Sequence, residues 1–442
     1  MKKKVKDYDF LIHPDDFFEV LSSFKRKGAT IICLDKERDY YRGIYFLDKS
    51  NKFQFDLSKI ESNSLINDLS NRDFTINAVA LPTKFFLKNK VKDEDFIDPY
   101  KGISDIKDRI LRPVCNKSIF EDDPVRIIRG FRFISRGFSP VDSLYGLMEK
   151  HKDKLKNVSP ERIYQELFVI LENGIADNEA KSETNSGDIY KFLILNKMTK
   201  LGIWSIIFPF NNLNLSDQGQ RISEDYLLKV ENQLSGLIDV LKNELIKEED
   251  ITFLKWLIWW NALYIDKEKT EFSRFINDYN SYFPVLKKHK KYTEFYLRGS
   301  SDKDLLYQTA KSYLEKTPET KEEEIFFIVG QIFGKLSFDK LSYKGKQYFN
   351  SEDFYRRKKM CENLNEKLKL IRKEIDGKFI LSYLDKKPGP WLKEFIKEVH
   401  LDLLIKLTKA PPDKNDKSEK DIKKLGQKAI SKLKECEGIG GE

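Results

Sequence analysis

Asp7 and Asp9 flank Tyr8 in a run of aromatic and branched residues that reads as a β-strand. Side chains alternate along a strand with a period of two, so both carboxylates project from one face. Two carboxylates so placed can hold divalent ions, which activate an attacking hydroxyl and neutralise a leaving pyrophosphate during in-line phosphoryl transfer. Taken alone, the spacing is explained as well or better by solvated surface acids. Asp56 lies in a second alternating run with Phe53, Phe55 and Leu57. Its pattern allows a neighbouring metal site but favours a side chain turned to water.

A second set of chemically able residues joins one acid to three arginines. Asp123 and Arg126 are three apart at a predicted helix start, hence on one face, with Pro124 where its missing N–H costs nothing. Cytosine and adenine both present a ring-nitrogen acceptor beside an amine donor. Arg can donate to the first group and Asp can accept from the second, whereas uracil and guanine would leave both misfaced. Such a site can reject a mismatch by up to ~10⁴-fold or more. Without further context the pair is an ordinary salt bridge worth roughly 0.2–0.5 kcal/mol. Arg129 and Arg132 continue the same interval, so three guanidiniums share part of one face and call for an anion.

The elements that must carry these residues divide the chain in two. Strand-like runs are predicted at residues 8–12, 30–34, 40–47, 52–57 and 78–82, with a helix at 14–27 capped by Gly28. That is a small mixed α/β unit. Beyond Asp98 apolar residues recur at three and four positions, as in Ile127, Ile128, Phe131 and Ile134, and the remainder reads as helical. Breaks fall near 173–188, 211–220, 316–321 and 411–419, and the end from 414 to 442 reads as a frayed tail. With 442 residues, 40% of them hydrophobic, the chain can bury several cores; its net charge of +9 suits a polyanionic partner without proving one.

Three blocks follow one another in order. Asp68-Leu69-Ser70-Asn71-Arg72-Asp73-Phe74-Thr75-Ile76-Asn77-Ala78 is similar to the D-L-x-R-R-D-F-T-I-N-A signature of the class II tRNA nucleotidyltransferase and poly(A) polymerase family. The stretch from Asp98-Pro99-Tyr100-Lys101-Gly102 to Leu111-Arg112-Pro113-Val114 resembles a second block of that family, with Gly102 permitting a tight, hinge-like turn. Phe120-Glu121-Asp122-Asp123-Pro124-Val125-Arg126-Ile127-Ile128-Arg129-Gly130-Phe131-Arg132-Phe133 resembles a third. A fourth, partial resemblance joins Gly377-Lys378-Phe379-Ile380 to Lys387-Pro388-Gly389-Pro390-Trp391-Leu392, like an element of bacterial CCA-adding enzymes. A helix N-terminus there offers N–H groups to RNA phosphate, or simply begins a helix.

The resemblance implies an α+β chain: a polymerase-β-like nucleotidyltransferase head at 1–112, a neck with the nucleotide-selecting helix at 113–175, a helical body at 176–340 and an RNA-binding helical tail at 341–442. It implies addition of C and A from CTP and ATP to tRNA 3′ ends. Asp7 and Asp9 would hold Mg²⁺, with Asp56 as the third acid. Arg72, Asp73, Asp123, Arg126, Arg129 and Arg132 would bind nucleotide. Alternatives are poly(A) tailing of general RNA, addition of CC or A alone, and a non-catalytic RNA-binding derivative.

The chain departs from the pattern in places. The family's G-G/S-x-x-R-D turn before the paired acids has no counterpart in the six residues ahead of Asp7, and the expectation is a true start upstream of Met1. Asn71 stands where the family usually has Arg, and the stretch from Asp56 to Asp68 is short. No His-Asp dipeptide of an appended phosphohydrolase occurs among the four histidines. Asp7, Asp9, Asp15 and Asp16 interrupt any secretory core, and the apolar run 251–265 contains Lys255 and reads as a buried helix. Four scattered cysteines form no C-x-x-C pair. A cytoplasmic protein with no membrane association and no obligatory protein partner is expected.

Overall fold

A computed structural model describes residues 7–37, 39–46, 52–60, 64–86, 91–114, 119–172, 191–208, 224–263, 269–299, 305–333, 351–409 and 419–436. The expected breaks at 173–188 and 211–220, and most of that at 411–419, lie outside these residues. The chain divides into two compact units, Met1–Lys154 and Leu155–Glu442.

The first unit opens with β1 (Asp7–Ile12), α1 (Phe17–Arg26), β2 (Thr30–Asp35), β3 (Tyr40–Phe46) and β4 (Lys52–Lys59). The strands form one sheet in the order β1-β4-β3-β2, with β1 parallel to β4 and the other pairs antiparallel. Alternation divides the sheet into an apolar and a polar face. Phe55 and Leu57 point to the apolar side and pack with Phe17 and Leu21 of α1, with Tyr8, Phe10, Phe24 and Tyr41 around them. Fully burying a side chain such as Phe55 contributes about 1.5–3 kcal/mol. Gly28 ends α1 at φ 90°, a left-handed position that disfavours a Cβ, so the predicted cap is where the sequence placed it.

The run at 78–82 is not a strand. Thr75–Asn77 forms a 3₁₀ turn, and pairing is confined to a single bridge between Ala80 and Ile97. Pro82 has no N–H to continue a ladder. Short elements follow: α2 (Leu65–Ser70), α3 (Gly102–Lys107), β5 (Ile110–Leu111), α4 (Arg126–Ile134), β6 (Ser139–Pro140) and α5 (Asp142–His151), with β5 parallel to β6. Their common core includes Phe74, Ile127, Ile128, Phe131, Leu144 and Met148, all buried.

Every described secondary-structure element of the second unit is a helix. Helix Glu248–Leu263 buries Trp256, Trp259 and Trp260, and Lys255 reaches the Leu171 carbonyl at 3.3 Å. The apolar run is thus a core helix, and no described helix is long and apolar enough to cross a membrane. His289 is fully buried, bonded to Asp250 at 2.8 Å and stacked on Phe253. Lys288 shares that carboxylate, which makes the group a packing device within the unit. The tail expectation fails in part. Residues Glu419–Cys436 form a helix that buries Ile422, Ala429 and Ile430, because its apolar positions recur at helical spacing beneath the surface lysines.

Candidate active site

The polar face of the sheet gathers the acids. Asp9 lies directly opposite Asp56 across the parallel pair, and Asp56 lies opposite Arg42 across the antiparallel one, forming a row over three strands. Asp7 precedes Asp9 by two on β1 and is opposite Gln54. Asp9 is exposed. Asp56, by contrast, is only 7% exposed, against the expectation that it faces water. Arg42 grips both its oxygens, with Nε to Oδ1 and Nη2 to Oδ2 each at 2.8 Å, and the Tyr40 hydroxyl donates to Oδ2 at 2.5 Å. Burial is possible because the charge is answered at once. The Arg42 hydrogen bond holds the Asp56 pKa below the ordinary carboxylate range despite burial, which acts the other way. Burial, helped by the bond to Asp56, pushes Tyr40 up to about 12.

Sequence reasoning passed over Arg42 and Tyr40. Both stand on the polar alternation of residues 40–46, but the register that sets them against Asp56 is a tertiary fact.

The signature segment 68–78 turns inward at Asp73, which is 5% exposed. Its carboxylate accepts from the Phe74 N–H, Asn77 Nδ2 and Arg129 Nε, each at 2.8 Å. Burial alone would raise its pKa, yet the Arg129 charge and these donors keep it lowered. Arg72 turns instead to Asp68, with Nη2 to Oδ2 at 2.9 Å.

Block two is scaffolding for block one. Asp105 accepts from Thr75 Oγ1 at 2.7 Å and Arg112 Nε at 3.1 Å, while the Thr75 N–H donates to the Arg112 carbonyl at 3.0 Å. Asp98 accepts from the N–H groups of Gly102 and Ile103. A Cβ on Gly102 would lie 2.1 Å from the Thr75 carbonyl oxygen. Gly102 therefore serves close packing at the start of α3, and the left-handed turn falls on Lys101 at φ 61°.

The helix start differs from the expected one. Asp123 stands in a turn between the short helix Ile119–Asp122 and α4, because a following proline disfavours helical backbone. Its carbonyl accepts from the Arg126 N–H at 3.1 Å. Arg126 donates from Nη2 to the Asn71 carbonyl at 2.7 Å and from Nη1 to that of Ile119 at 3.3 Å. Arg132 lies over the Phe133 ring at 5.0 Å. The three guanidiniums of α4 thus meet carbonyls, Asp73 and an aromatic face.

The row of acids on the polar face of the sheet and the helix bearing three arginines both lie in the first compact unit. Residues 1–112 match the family described as the poly A polymerase head domain. The chain is 30% identical over 169 residues to a CC-adding tRNA nucleotidyltransferase of Geobacter sulfurreducens, an alignment covering 38% of this chain and 36% of that protein. It is 39% identical over 172 residues to a multifunctional CCA protein of Xanthomonas campestris pv. campestris, covering 38% and 35% respectively. The match therefore spans about a third of the length of these relatives. Across 97% of this chain and 87% of the other, the fold resembles a Thermotoga maritima CCA-adding enzyme complexed with tRNA, at TM-score 0.56 and 17% identity. A CCA-adding enzyme complexed with CTP aligns with TM-score 0.56 and 18% identity, covering 99% and 87%. Residues 1–112 belong to the poly A polymerase head domain family. The fold, a head followed by helical domains, is that of the CCA-adding enzymes.

Proposed function

We propose that this protein is a template-independent nucleotidyltransferase that adds C, C and A from CTP and ATP to tRNA 3′ ends. The observation that carries the reading is the row Asp9, Asp56, Arg42 on the polar face of a poly A polymerase head. The relatives' names and the nucleotide and tRNA complexes of the similar structures support the choice of substrates. The head is taken as 1–112, the neck as 113–175, the body as 176–340 and an RNA-binding tail as 341–442.

In the reaction, the RNA 3′-hydroxyl attacks the α-phosphate of the incoming nucleotide; a new P–O bond forms, the α–β bridge bond breaks and pyrophosphate leaves with its electron pair. Carboxylate oxygens are the ligands a hard divalent cation such as Mg²⁺ takes, and Asp9 is exposed opposite Asp56; among the described residues, however, no group of three His, Cys, Asp or Glu side chains is gathered closely enough to hold a metal ion. When bound, Mg²⁺ lowers the pKa of the attacking hydroxyl and offsets charge on the leaving group. Asp7 and Asp9 would hold it, with Asp56 as the third acid, oriented by Arg42 and Tyr40. Arg72 and Asp73 are assigned to the ribose, Asp123 and Arg126 to the base edge, and Arg129 and Arg132 to the phosphates. In the structure described above, Arg129 braces Asp73, so its phosphate contact would require a change of partner.

A second reading is addition of CC alone, favoured by the name of the Geobacter sulfurreducens relative. The experiment supplies the protein with a tRNA lacking its last three residues, CTP and ATP, and sequences the product. Addition of C, C and A followed by a stop is expected. A stop after two C residues would establish the second reading; long A tracts on unrelated RNA, or RNA binding without incorporation, would refute both.

A further inference from the structure

Beyond Arg42 the acid-bearing face of the sheet changes character. Residues directly opposite one another in a ladder share a face. The pairs Ile32–Arg42, Ile44–Gln54 and Phe46–Lys52 therefore place Ile32, Ile44, Phe46 and Lys52 on the side that carries Asp56. Alternation along β3 agrees: Tyr40 and Arg42 turn to Asp56, and Ile44 and Phe46 continue the period. The other face is the one that α1 covers.

The apolar side chains on the acid face stand in water. Phe46 is 61% exposed and Ile32 43%, with Ile44 half-buried between them. Diagonal neighbours on adjacent strands lie about 7–8 Å apart, and alternate residues of one strand about 6.6 Å. Ile32, Ile44 and Phe46 thus form one oblique strip. Apolar residues exposed singly need no explanation, whereas a strip continuous with a row of acids calls for an occupant. Cations flank it: Lys52 is exposed opposite Phe46, and Arg42 lies opposite Ile32. None of these residues belongs to the motif blocks at 68–78, 98–114 and 120–133.

An exposed aromatic ring among aliphatic groups, with cations at its side, offers what a nucleotide in a single strand needs, a stacking surface for the base and a counter-charge for the phosphate. Two bases take part in the proposed reaction, that of the incoming nucleotide and that at the end of the acceptor. Asp123 and Arg126 are assigned to the first. By strand spacing Phe46 lies about 12 Å from Asp7, so the strip suits the last nucleotides of a strand whose 3′-hydroxyl stands at the acids. We propose that Ile32, Ile44 and Phe46 form a stacking shelf for a base at the 3′ end of the acceptor RNA, with Phe46 its main contact and Lys52 beside the phosphate. The shelf rests on the transferase reading given above and adds the place where the acceptor lies.

Two measurements on the full chain test it. A single-stranded RNA ending in 4-thiouridine, irradiated with the protein in the absence of nucleotide, should crosslink to the peptide that carries Phe46, and the same label at the 5′ end should not. With unlabelled RNA, Phe46→Ala should raise the KM for RNA at least about fivefold, leave the KM for CTP within about twofold, and be rescued by Phe46→Trp. Crosslinking through the 3′ end by a protein that incorporates no CTP would remove the transferase reading and keep the shelf. In a protein that does incorporate CTP, crosslinks from both ends alike, a KM for RNA indifferent to Phe46→Ala, equal rises in both KM values, or no rescue by Trp would overturn the shelf and keep the reading.

Discussion

Arg129 Nε donates to Asp73 Oδ2 across 2.8 Å, tying α4 to a segment fifty-six residues earlier in the chain. The carboxylate is 5% exposed, so removing its partner leaves a buried charge. Arg129→Ala is expected to destabilise the head by about 3 kcal/mol, the low end for a broken buried pair because the Arg side chain still reaches solvent. Urea denaturation with hydrogen exchange on peptides spanning 68–78 would measure it. A loss under ~0.5 kcal/mol would mean the pair is not a brace.

The same pair sets a pH dependence. The folded pKa of Asp73 is lowered, so its contribution is whole above the unfolded value of about 3.9 and is lost as pH falls through the lower folded one. Wild-type protein should therefore lose head stability below about pH 4. Asp73→Asn should flatten that part of the profile; an unchanged acid slope would assign it to other carboxylates.

Asp7→Ala and Asp9→Ala should abolish Mg²⁺-dependent incorporation. Asp9 is exposed, and its replacement should shift stability by only about ±0.5 kcal/mol. Folded, inactive protein is the expected result, checked by circular dichroism beside the assay. Near-normal incorporation by both variants would remove the metal assignment.

Arg42 occupies both oxygens of Asp56 and brings a positive charge beside the face on which a metal is proposed. Arg42→Ala should leave Mn²⁺ binding, followed by electron paramagnetic resonance, equal or tighter, since a competing cation is gone. Incorporation should nevertheless fall about tenfold or more because the acid is no longer oriented. If binding weakens in step with activity, the orienting role assigned to Arg42 is wrong.

The Arg126 guanidinium is held by the Asn71 and Ile119 carbonyls, and its N–H donates to the Asp123 carbonyl at 3.1 Å. If the two read the base edge, Asp123→Ala combined with Arg126→Ala should reduce discrimination against UTP and GTP more than the rate with CTP. Arg126→Ala alone should be worse for CTP than the double change, since it leaves Asp123 uncompensated. Incorporation of all four nucleotides decides this; equal loss for all four would place selection elsewhere.

Much of this protein was legible one segment at a time. Alternation announced four of the strands, and Gly28 announced the end of α1, because period-two patterning and left-handed backbone are local properties. The three motif blocks were legible as strings, and with them the acids and arginines they carry. Their division of labour was not. Nothing in the order of residues says that Asp98, Asp105 and Arg112 support Thr75 and α3, or that Asp73 is spent on Asn77 and Arg129. Nor does the alternation of 52–59 reveal that Arg42 and Tyr40 will enclose Asp56, since strand register joins residues distant in sequence and decides which charge meets which. The sequence by itself determined which groups are present and on which face of an element each lies. Tertiary structure alone decided which are buried, because a charge leaves water only where folding brings a partner to it.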